Sequence, residues 1–188
     1  MRPISVLGLG GSHRAGSASE CALRIALAAA AEVGCDVTAL AASELALPFY
    51  APDSAARPPA ALRFVELVRG CDGLVIASPA YHGSMSGLIK NALDYIEDLR
   101  GDDRPYLDGR AVGCIATGAG WQATVTTLAA LRSVVHALRG WPTPLGVVVN
   151  ASETGFDDEG RCLSDPVTRQ LELVGRQVAD FAARMRGS

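Results

Sequence analysis

A turn rich in glycine and serine lies near the amino end of the chain, between an apolar segment and a helix-start signal. Ser17 and Glu20 have the Ser-x-x-Glu spacing of a capping box, which predicts that a helix begins there. The unpaired N–H groups at such a helix start favour an anion, as does the positive end of the helix dipole. Ser12 and Ser17 add hydroxyl donors, and Arg14 adds a planar cation suited to phosphate oxygens. This first loop, residues 11–17, is therefore predicted to bind a phosphate group.

Two common phosphate-binding motifs do not fit the first loop. The dinucleotide fingerprint Gly-x-Gly-x-x-Gly would start at Gly8, but His13 stands at the position of its third glycine. A Walker A loop would start at Gly11, but Ser17 stands at the position of its lysine. What remains is a short turn sized for one terminal phosphate rather than a pyrophosphate. A well-capped strand-to-helix turn without a ligand stays open as the alternative.

Length and composition predict one domain, residues 1–188, with a sizeable core, since 49% of the residues are hydrophobic. The net charge is -3 and no basic run occurs, which argues against a nucleic-acid partner. The chain starts without a signal-peptide pattern and has no apolar run of membrane-spanning length, so we expect a cytoplasmic protein without membrane association. The five cysteines form no Cys-x-x-Cys pair and predict reduced thiols, and the three scattered histidines predict no metal site.

Apolar segments of strand length alternate with helical patterns along the chain. The strand candidates are residues 4–9, 35–40, 73–77, 111–116 and 145–149. Strands that are apolar throughout and separated by helices indicate a parallel sheet covered on both faces. We therefore predict an α/β, flavodoxin-like, doubly wound fold with a five-stranded parallel sheet in the order 2-1-3-4-5. Its ligand crevice would lie at the carboxyl ends of strands 1 and 3. Residues 41–57 are predicted to be a loop over the site or toward a partner subunit.

Two further loops are predicted to reach the same crevice. In the second loop, residues 78–84, Pro79 stiffens the strand exit and Gly83 lets the backbone approach a flat ligand. Tyr81 and His82 add aromatic surface and polar edges there. The third loop, residues 117–120, is a turn of small residues whose backbone N–H groups suit carbonyl or ring-nitrogen acceptors. Together the loops predict a pocket for a flat ligand that carries a phosphate.

Three segments of the chain resemble the NADPH-dependent FMN reductase family. They are Gly-Ser-His-Arg-Ala-Gly-Ser at 11–17, Ser-Pro-Ala-Tyr-His-Gly-Ser at 78–84 and Gly-Leu-Ile-Lys-Asn-Ala-Leu-Asp at 87–94. The resemblance covers essentially the whole chain. It is closest to reductases that supply reduced flavin to partner monooxygenases, and looser to quinone, chromate and azo-dye reductases. It implies hydride transfer from NADPH or NADH to FMN, without a catalytic side chain, because the cofactor carries the chemistry.

Position by position, the resemblance implies a cofactor site built from all three loops. The residues implied are Ser12, Arg14, Ser17 and Ser19 for the FMN phosphate; Pro79, Ala80, Tyr81, His82, Gly83 and Ser84 for the ring; and Thr117, Gly118, Ala119 and Gly120 for its pyrimidine end. Many family members have adjacent glycines in the third loop, whereas here Ala119 separates two glycines. The resemblance also implies a homodimer or homotetramer, small-molecule substrates, and a flavin-dependent monooxygenase as partner.

Other functions stay open at this point. One is an NAD(P)H reductase of quinones, nitro compounds or azo dyes that keeps FMN bound. Another is a flavodoxin-like electron carrier without nicotinamide activity, although the chain lacks the Thr-rich phosphate loop and strong acidity typical of flavodoxins. A third is a nucleotide-binding α/β domain without flavin.

Overall fold

The computed structural model describes residues 2–54 and 56–187. Met1, Ala55 and Ser188 lie outside it, and with them both ends of the predicted domain and one position of the predicted 41–57 loop. The strands are β1 (Ser5–Gly10), β2 (Asp36–Ala41), β3 (Gly73–Tyr81), β4 (Ser84–Met85), β5 (Ala111–Gly118), β6 (Trp141–Pro142) and β7 (Val147–Asn150). The helices are α1 (Ala18–Glu32), α2 (Pro59–Gly70), α3 (Gly87–Asp94), α4 (Trp121–Ala137) and α5 (Asp165–Arg186), with 3-10 helices at Ala42–Leu45 and Tyr95–Leu99.

Helices begin where local sequence signals place them. The Ser17 hydroxyl accepts the N–H of Glu20 at the start of α1, over 3.3 Å. The Ser86 hydroxyl accepts the N–H of Ile89 at the start of α3, over 3.2 Å. Pro59 stands in the first turn of α2, where its missing N–H costs no hydrogen bond. Each of these starts follows from residues within one helical turn.

The sheet follows the predicted parallel order at its centre but has more strands than predicted. Its order is β2-β1-β3-β5-β6, with β7 also paired to β5 and β4 paired antiparallel to β3. The prediction of a plain five-stranded 2-1-3-4-5 sheet is therefore wrong in its strand count. Residues 143–146 interrupt the edge, where the Thr143 hydroxyl donates to the carbonyl of Leu145 over 2.7 Å. Pro142 and Pro144 lack the N–H groups that would continue the ladder.

The two faces of the sheet carry separate hydrophobic cores, as predicted for helices on both faces. One core packs α2, α3 and α4 against the sheet and includes Phe64, Ile89 and Leu131. The other packs α1 and α5 and includes Leu23 and Val174. The parallel α/β architecture is thus confirmed, and it leaves the carboxyl ends of β1, β3 and β5 at one edge.

The predicted 41–57 loop starts with a 3-10 helix and is held against α3 by side-chain bonds. Asn91 accepts the N–H of Tyr50 over 2.9 Å and donates to the carbonyl of Pro48 over 3.0 Å. Arg57 is paired with Asp98 over 2.7 Å. None of the segment's described residues lines the cavity at the carboxyl ends of β1, β3 and β5. The segment therefore packs beside the site edge rather than into it.

The cysteine thiols are free throughout the described part of the chain. Cys21 and Cys114 are buried, and burial raises the pKa of Cys114 to about 12. In residues 2–54 and 56–187, no three His, Cys, Asp or Glu side chains are placed to hold a metal ion. No helix in those ranges is long and apolar enough to cross a membrane.

Candidate active site

Three loops meet at the carboxyl ends of β1, β3 and β5 around a cavity of about 460 Å³. The residues that line it are Ser12, Arg14, Ser17, Ala18, Ser19, Pro79, Ala80, Tyr81, Thr117, Gly118, Ala119 and Ala151. The structure thus brings most of the predicted cofactor-binding residues together, although they come from three distant parts of the chain. Sequence reasoning missed Ala18 and Ala151.

The first loop is organised by the cap of α1. The Ser17 hydroxyl accepts from the N–H of Glu20 and lies 3.2 Å from the hydroxyl of Ser19. The Glu20 carboxylate accepts the N–H of Gly16 over 3.0 Å. In a standard capping box this carboxylate would bind the N–H of Ser17, but that N–H donates to the carbonyl of Arg14 over 3.3 Å. The capping box is therefore present, but its Glu20 carboxylate accepts the N–H of Gly16 instead of the N–H of Ser17.

Several donors of the first loop and helix start are left for a ligand. In the described part of the chain, the N–H groups of Ala18 and Ser19 have no acceptor. The Arg14 side chain is exposed and, within the same residues, makes no hydrogen bond or ion pair. Arg14 is the charged residue of the cavity lining, in which no carboxylate occurs. The lining therefore favours an anion.

The second loop is a β-hairpin, which the sequence analysis did not predict. β3 continues to Tyr81 and pairs antiparallel with β4, so that Tyr81 faces Ser84. His82 and Gly83, the two residues between them, have φ angles of 52° and 82°. Two successive left-handed residues are typical of the type I′ turn that matches strand twist. The pair His-Gly was the available signal, because histidine tolerates the left-handed region better than most residues.

The hairpin divides the predicted ring-binding residues between two neighbouring cavities. Tyr81, with a 57% exposed side chain, stands at the first cavity. His82, Gly83 and Gly120 instead line an adjoining cavity of about 590 Å³, which shares Ala80 and Ala119 with the first. Among the described residues, Ser84 lines neither of these two cavities and serves the hairpin pairing.

The third loop connects the end of β5 to α4 and packs closely against the second loop. A Cβ on Gly118 would lie 3.0 Å from the Cβ of Ala80 and 3.2 Å from Cγ2 of Thr124. A side chain at position 118 would therefore push against the end of β3 and the first turn of α4. Beyond Gly118, Gly120 precedes α4 and its carbonyl accepts the N–H of Thr124 over 3.1 Å. Helix α4 therefore begins directly after Gly120, a residue that lines one of the two cavities.

The family profile of NADPH-dependent FMN reductases matches residues 4–154, a span that contains all three loops. The chain belongs to the NADPH-dependent FMN reductase family. A curated relative, an NAD(P)H-dependent FMN reductase of Pseudomonas aeruginosa, is 30% identical over 187 residues, which cover 98% of each chain. An FMN-dependent NADPH-azoreductase of Staphylococcus haemolyticus is 34% identical over 120 residues, 63% of this chain and 60% of that one.

Membership in the family confirms the prediction that the protein is an NAD(P)H-dependent FMN reductase. It is an oxidoreductase that uses FMN, with NAD(P)H as the source of hydride. The resemblance inferred from residues 11–17, 78–84 and 87–94 is therefore correct, and the reductase falls outside the class of nicotinamide-independent electron carriers.

Solved flavoenzymes share the fold of the reductase. A flavoenzyme NAD(P)H:(acceptor) oxidoreductase from Paracoccus denitrificans superposes with a TM-score of 0.74 at 19% identity, over 96% of this chain and 98% of that one. The apo form of an NADH:FMN oxidoreductase superposes with a TM-score of 0.67 at 22% identity, over 96% and 89%. These likenesses confirm the flavodoxin-like α/β fold with its parallel sheet.

Proposed function

We propose that the reductase binds FMN in the cavity between its three loops, with the phosphate at the first loop. Ser12, Arg14, Ser17 and Ser19 would hold the phosphate. The observation that carries this assignment is the pair of N–H groups at Ala18 and Ser19, which have no acceptor in the described chain. Such donors at a helix start are suited to an anion, and Arg14 supplies the matching charge. The donor set therefore fits a phosphate dianion.

The buried serines add a second argument for a phosphate ligand. Ser17 is 5% exposed and Ser19 is 1% exposed, and their hydroxyl oxygens lie 3.2 Å apart. Only one of the two O–H groups donates within this pair, since each hydroxyl carries a single proton. The other O–H then needs an acceptor, because a buried polar group without a hydrogen bond is costly. A phosphate oxygen beside Ala18 would accept it.

The ring of FMN would extend from the first loop toward the hairpin and the third loop. When bound, FMN supplies the hydride-transfer chemistry. Tyr81 would orient the ring with its exposed aromatic side chain, while Pro79 and Ala80 form the wall at the end of β3. The third loop would offer backbone N–H groups to the pyrimidine end. The reductase needs no side-chain acid or base for this role, only binding and orientation.

Exposed apolar side chains near the same edge support self-association of the reductase as a homodimer or homotetramer. Trp121 and Val125 are exposed one helical turn apart at the start of α4, and Phe49 is 92% exposed on a separate segment that Asn91 holds in place. Large exposed apolar side chains in a group mark interaction surfaces. Light scattering on the purified protein measures the subunit number, and a monomer at micromolar concentration contradicts this part of the proposal.

The rate of NAD(P)H oxidation with added free FMN identifies the electron acceptor. If reduced flavin leaves the reductase to serve a partner monooxygenase, as we propose, free FMN raises the rate of NAD(P)H oxidation. If FMN stays bound and an external acceptor is reduced, as the name of the staphylococcal azoreductase relative suggests for that protein, quinones or azo dyes raise the rate instead. A rate that only quinones or azo dyes increase overturns the flavin-supply proposal.

The phosphate assignment is tested by titrating purified protein with FMN. Arg14→Ala is expected to weaken FMN binding by about 1.5 to 3 kcal/mol, the value of a charge-assisted contact. Riboflavin lacks the phosphate, so its affinity should not change. Arg63→Ala is the matched control, because Arg63 is exposed on α2 and pairs only with Glu44 in the described chain. FMN affinity that is unchanged in Arg14→Ala contradicts the assignment.

A further inference from the structure

A turn at residues 150–153, to which no sequence pattern assigned a site, binds two successive carbonyl groups of the third loop. The N–H of Ala151 donates to the carbonyl of Gly118 over 2.7 Å. The hydroxyl of Ser152 donates to the carbonyl of Ala119 over 3.1 Å. Successive carbonyls of the third loop therefore point at this turn.

Glu153 extends the same contact to the start of α4. One oxygen of its carboxylate accepts the indole N–H of Trp121 over 2.7 Å and the side-chain N–H of Asn150 over 2.8 Å. Asn150 in turn accepts the N–H of Ser152 over 3.2 Å. The turn is thus hydrogen-bonded to the third loop at its junction with β5 and to Trp121, which directly follows the loop.

These bonds determine where the N–H groups of the third loop point. All peptide bonds between described residues are trans, and in a trans peptide the N–H is antiparallel to the preceding carbonyl. The carbonyls of Gly118 and Ala119 face the turn, so the N–H groups of Ala119 and Gly120 face away from it. Neither N–H has an acceptor in residues 2–54 and 56–187. Ala119 lines both cavities and Gly120 lines the adjoining one, so these two donors are available to a ligand that reaches from the first cavity toward the adjoining one.

The third loop has no means of holding this orientation by itself. Its residues from Gly118 to Gly120 carry no side chain larger than a methyl group, and glycine permits a wide range of backbone angles. A binding site needs donors held within a narrow range of geometry by residues behind them. In the described structure, Thr124 of α4 bonds to the carbonyl of Gly120, and the side chains that reach the third loop and the start of α4 from the 150–153 turn belong to Ser152 and Glu153.

We propose that Ser152 and Glu153 are positioning residues of the flavin site, which aim the N–H groups of Ala119 and Gly120 at acceptors on the pyrimidine end of the ring. The inference rests on the proposed binding of FMN in this cavity. Ser152 acts on the Ala119 carbonyl, and Glu153 acts through Trp121. Both residues hold the ring end of the site and have no part in holding the phosphate.

The test compares the affinities of FMN and riboflavin in four variants: Ser152→Ala, Glu153→Ala, Glu153→Gln and Glu159→Ala. Ser152→Ala and Glu153→Ala are expected to weaken both flavins by the same factor, about three- to tenfold, the effect of one lost hydrogen bond. Glu153→Gln keeps an acceptor oxygen for the Trp121 N–H and is expected to retain wild-type affinity. Glu159→Ala is the matched control, since Glu159 lies in the same connection and binds Arg161 instead.

A second measurement separates positioning from general loss of structure. The N–H groups stabilise negative charge at the ring, which is greater in reduced flavin, so the midpoint potential of bound FMN is expected to become more negative in Ser152→Ala and Glu153→Ala. Without flavin, fluorescence in a Trp141→Phe background reports Trp121 alone, and it should change in Glu153→Ala but not in Glu153→Gln. If Glu153→Ala does not fold, Ser152→Ala decides the question by itself.

Three results would overturn the inference. The first is wild-type affinity for both flavins in Ser152→Ala, and the second is a variant of Ser152 or Glu153 that weakens FMN but not riboflavin. The third is an equal loss of flavin affinity in Glu153→Gln and Glu153→Ala. Failure of the underlying function is a different result. If FMN does not occupy the cavity, Arg14→Ala leaves the ratio of FMN to riboflavin affinity unchanged. Arg14→Ala alters that ratio under the proposal, whereas Ser152→Ala lowers both affinities and preserves it.

Discussion

Gly11 donates its backbone N–H to the carbonyl of Ala77 over 2.8 Å and so joins the first loop to β3. A Cβ on Gly11 would lie 2.4 Å from Cγ1 of Ile89 and 2.9 Å from the hydroxyl oxygen of Ser86. The first loop, the end of β3 and the start of α3 therefore meet at a point where only glycine fits. This contact makes the first loop and the strand that leads into the hairpin one structural unit.

Gly11→Ala is expected to destabilise the protein by about 1 to 3 kcal/mol, because the added methyl group overpacks a buried contact. It should also weaken FMN binding, since the first loop must move away from β3. Urea unfolding and FMN titration measure the two effects. Gly87→Ala is the control: a Cβ there meets nothing within 4 Å. It is expected to be neutral or slightly stabilising, and an equal loss in both variants contradicts the packing argument.

His82→Asn is expected to stabilise the protein by up to about 1 kcal/mol, because Asn-Gly is the preferred pair in a type I′ turn. His82 is exposed and left-handed, so the change removes backbone strain without opening a core cavity. Thermal unfolding measures the gain. The companion variant Gly83→Ala places a methyl group on a residue with φ of 82° and should be destabilising. Destabilisation by His82→Asn would show that the imidazole has a role beyond the turn.

Thr127→Val is expected to stabilise the protein by about 1 kcal/mol, since it replaces an unsatisfied buried hydroxyl with a methyl group of similar size. Thr127 is fully buried on α4, and its hydroxyl has no hydrogen-bond partner in the described structure. Thr124 is the matched control: it is equally buried, but its hydroxyl donates to the carbonyl of Gly120 over 3.0 Å. Thr124→Val should be destabilising, and urea unfolding of both variants checks the contrast.

Asp72 should make the stability of the protein depend on pH in the acid range. Burial by itself raises the pKa of this carboxyl group, but hydrogen bonds from the Ser5 N–H, Arg2 and Arg186 outweigh it and lower the pKa. A pKa lowered in the folded state adds stability above the unfolded-state pKa. That stability is lost as the pH falls through the folded pKa, below about pH 4.

Asp72→Asn removes these charged bonds and is expected to cost about 1 to 3 kcal/mol at pH 7. The difference from wild type should shrink as the pH falls from 4 toward 2, because the wild-type carboxylate is then protonated as well. Urea unfolding at several pH values measures it. Asp158→Asn, at an exposed position, is the control. A difference that stays constant down to pH 2 contradicts the assigned role of the Asp72 charge.

The sequence by itself determined the parts of this protein that depend on near neighbours. Ser17 and Glu20 predicted the start of α1 because a cap forms within one turn of helix. The alternation of apolar strands and helices predicted the parallel sheet. The residues of the first loop, of the second loop and of the 87–94 segment predicted the FMN reductase family. The meeting of the three loops at one edge follows from the parallel direction of the strands, whose carboxyl ends lie together.

Only the tertiary structure decided the features that join distant residues. The edge of the sheet is divided into β6 and β7 by hydrogen bonds around Thr143, which apolar periodicity does not report. The bond from Ser152 to Ala119 links residues 33 positions apart, and no local pattern marks it. Such contacts arise when separate elements pack, so they are absent from any short stretch of sequence.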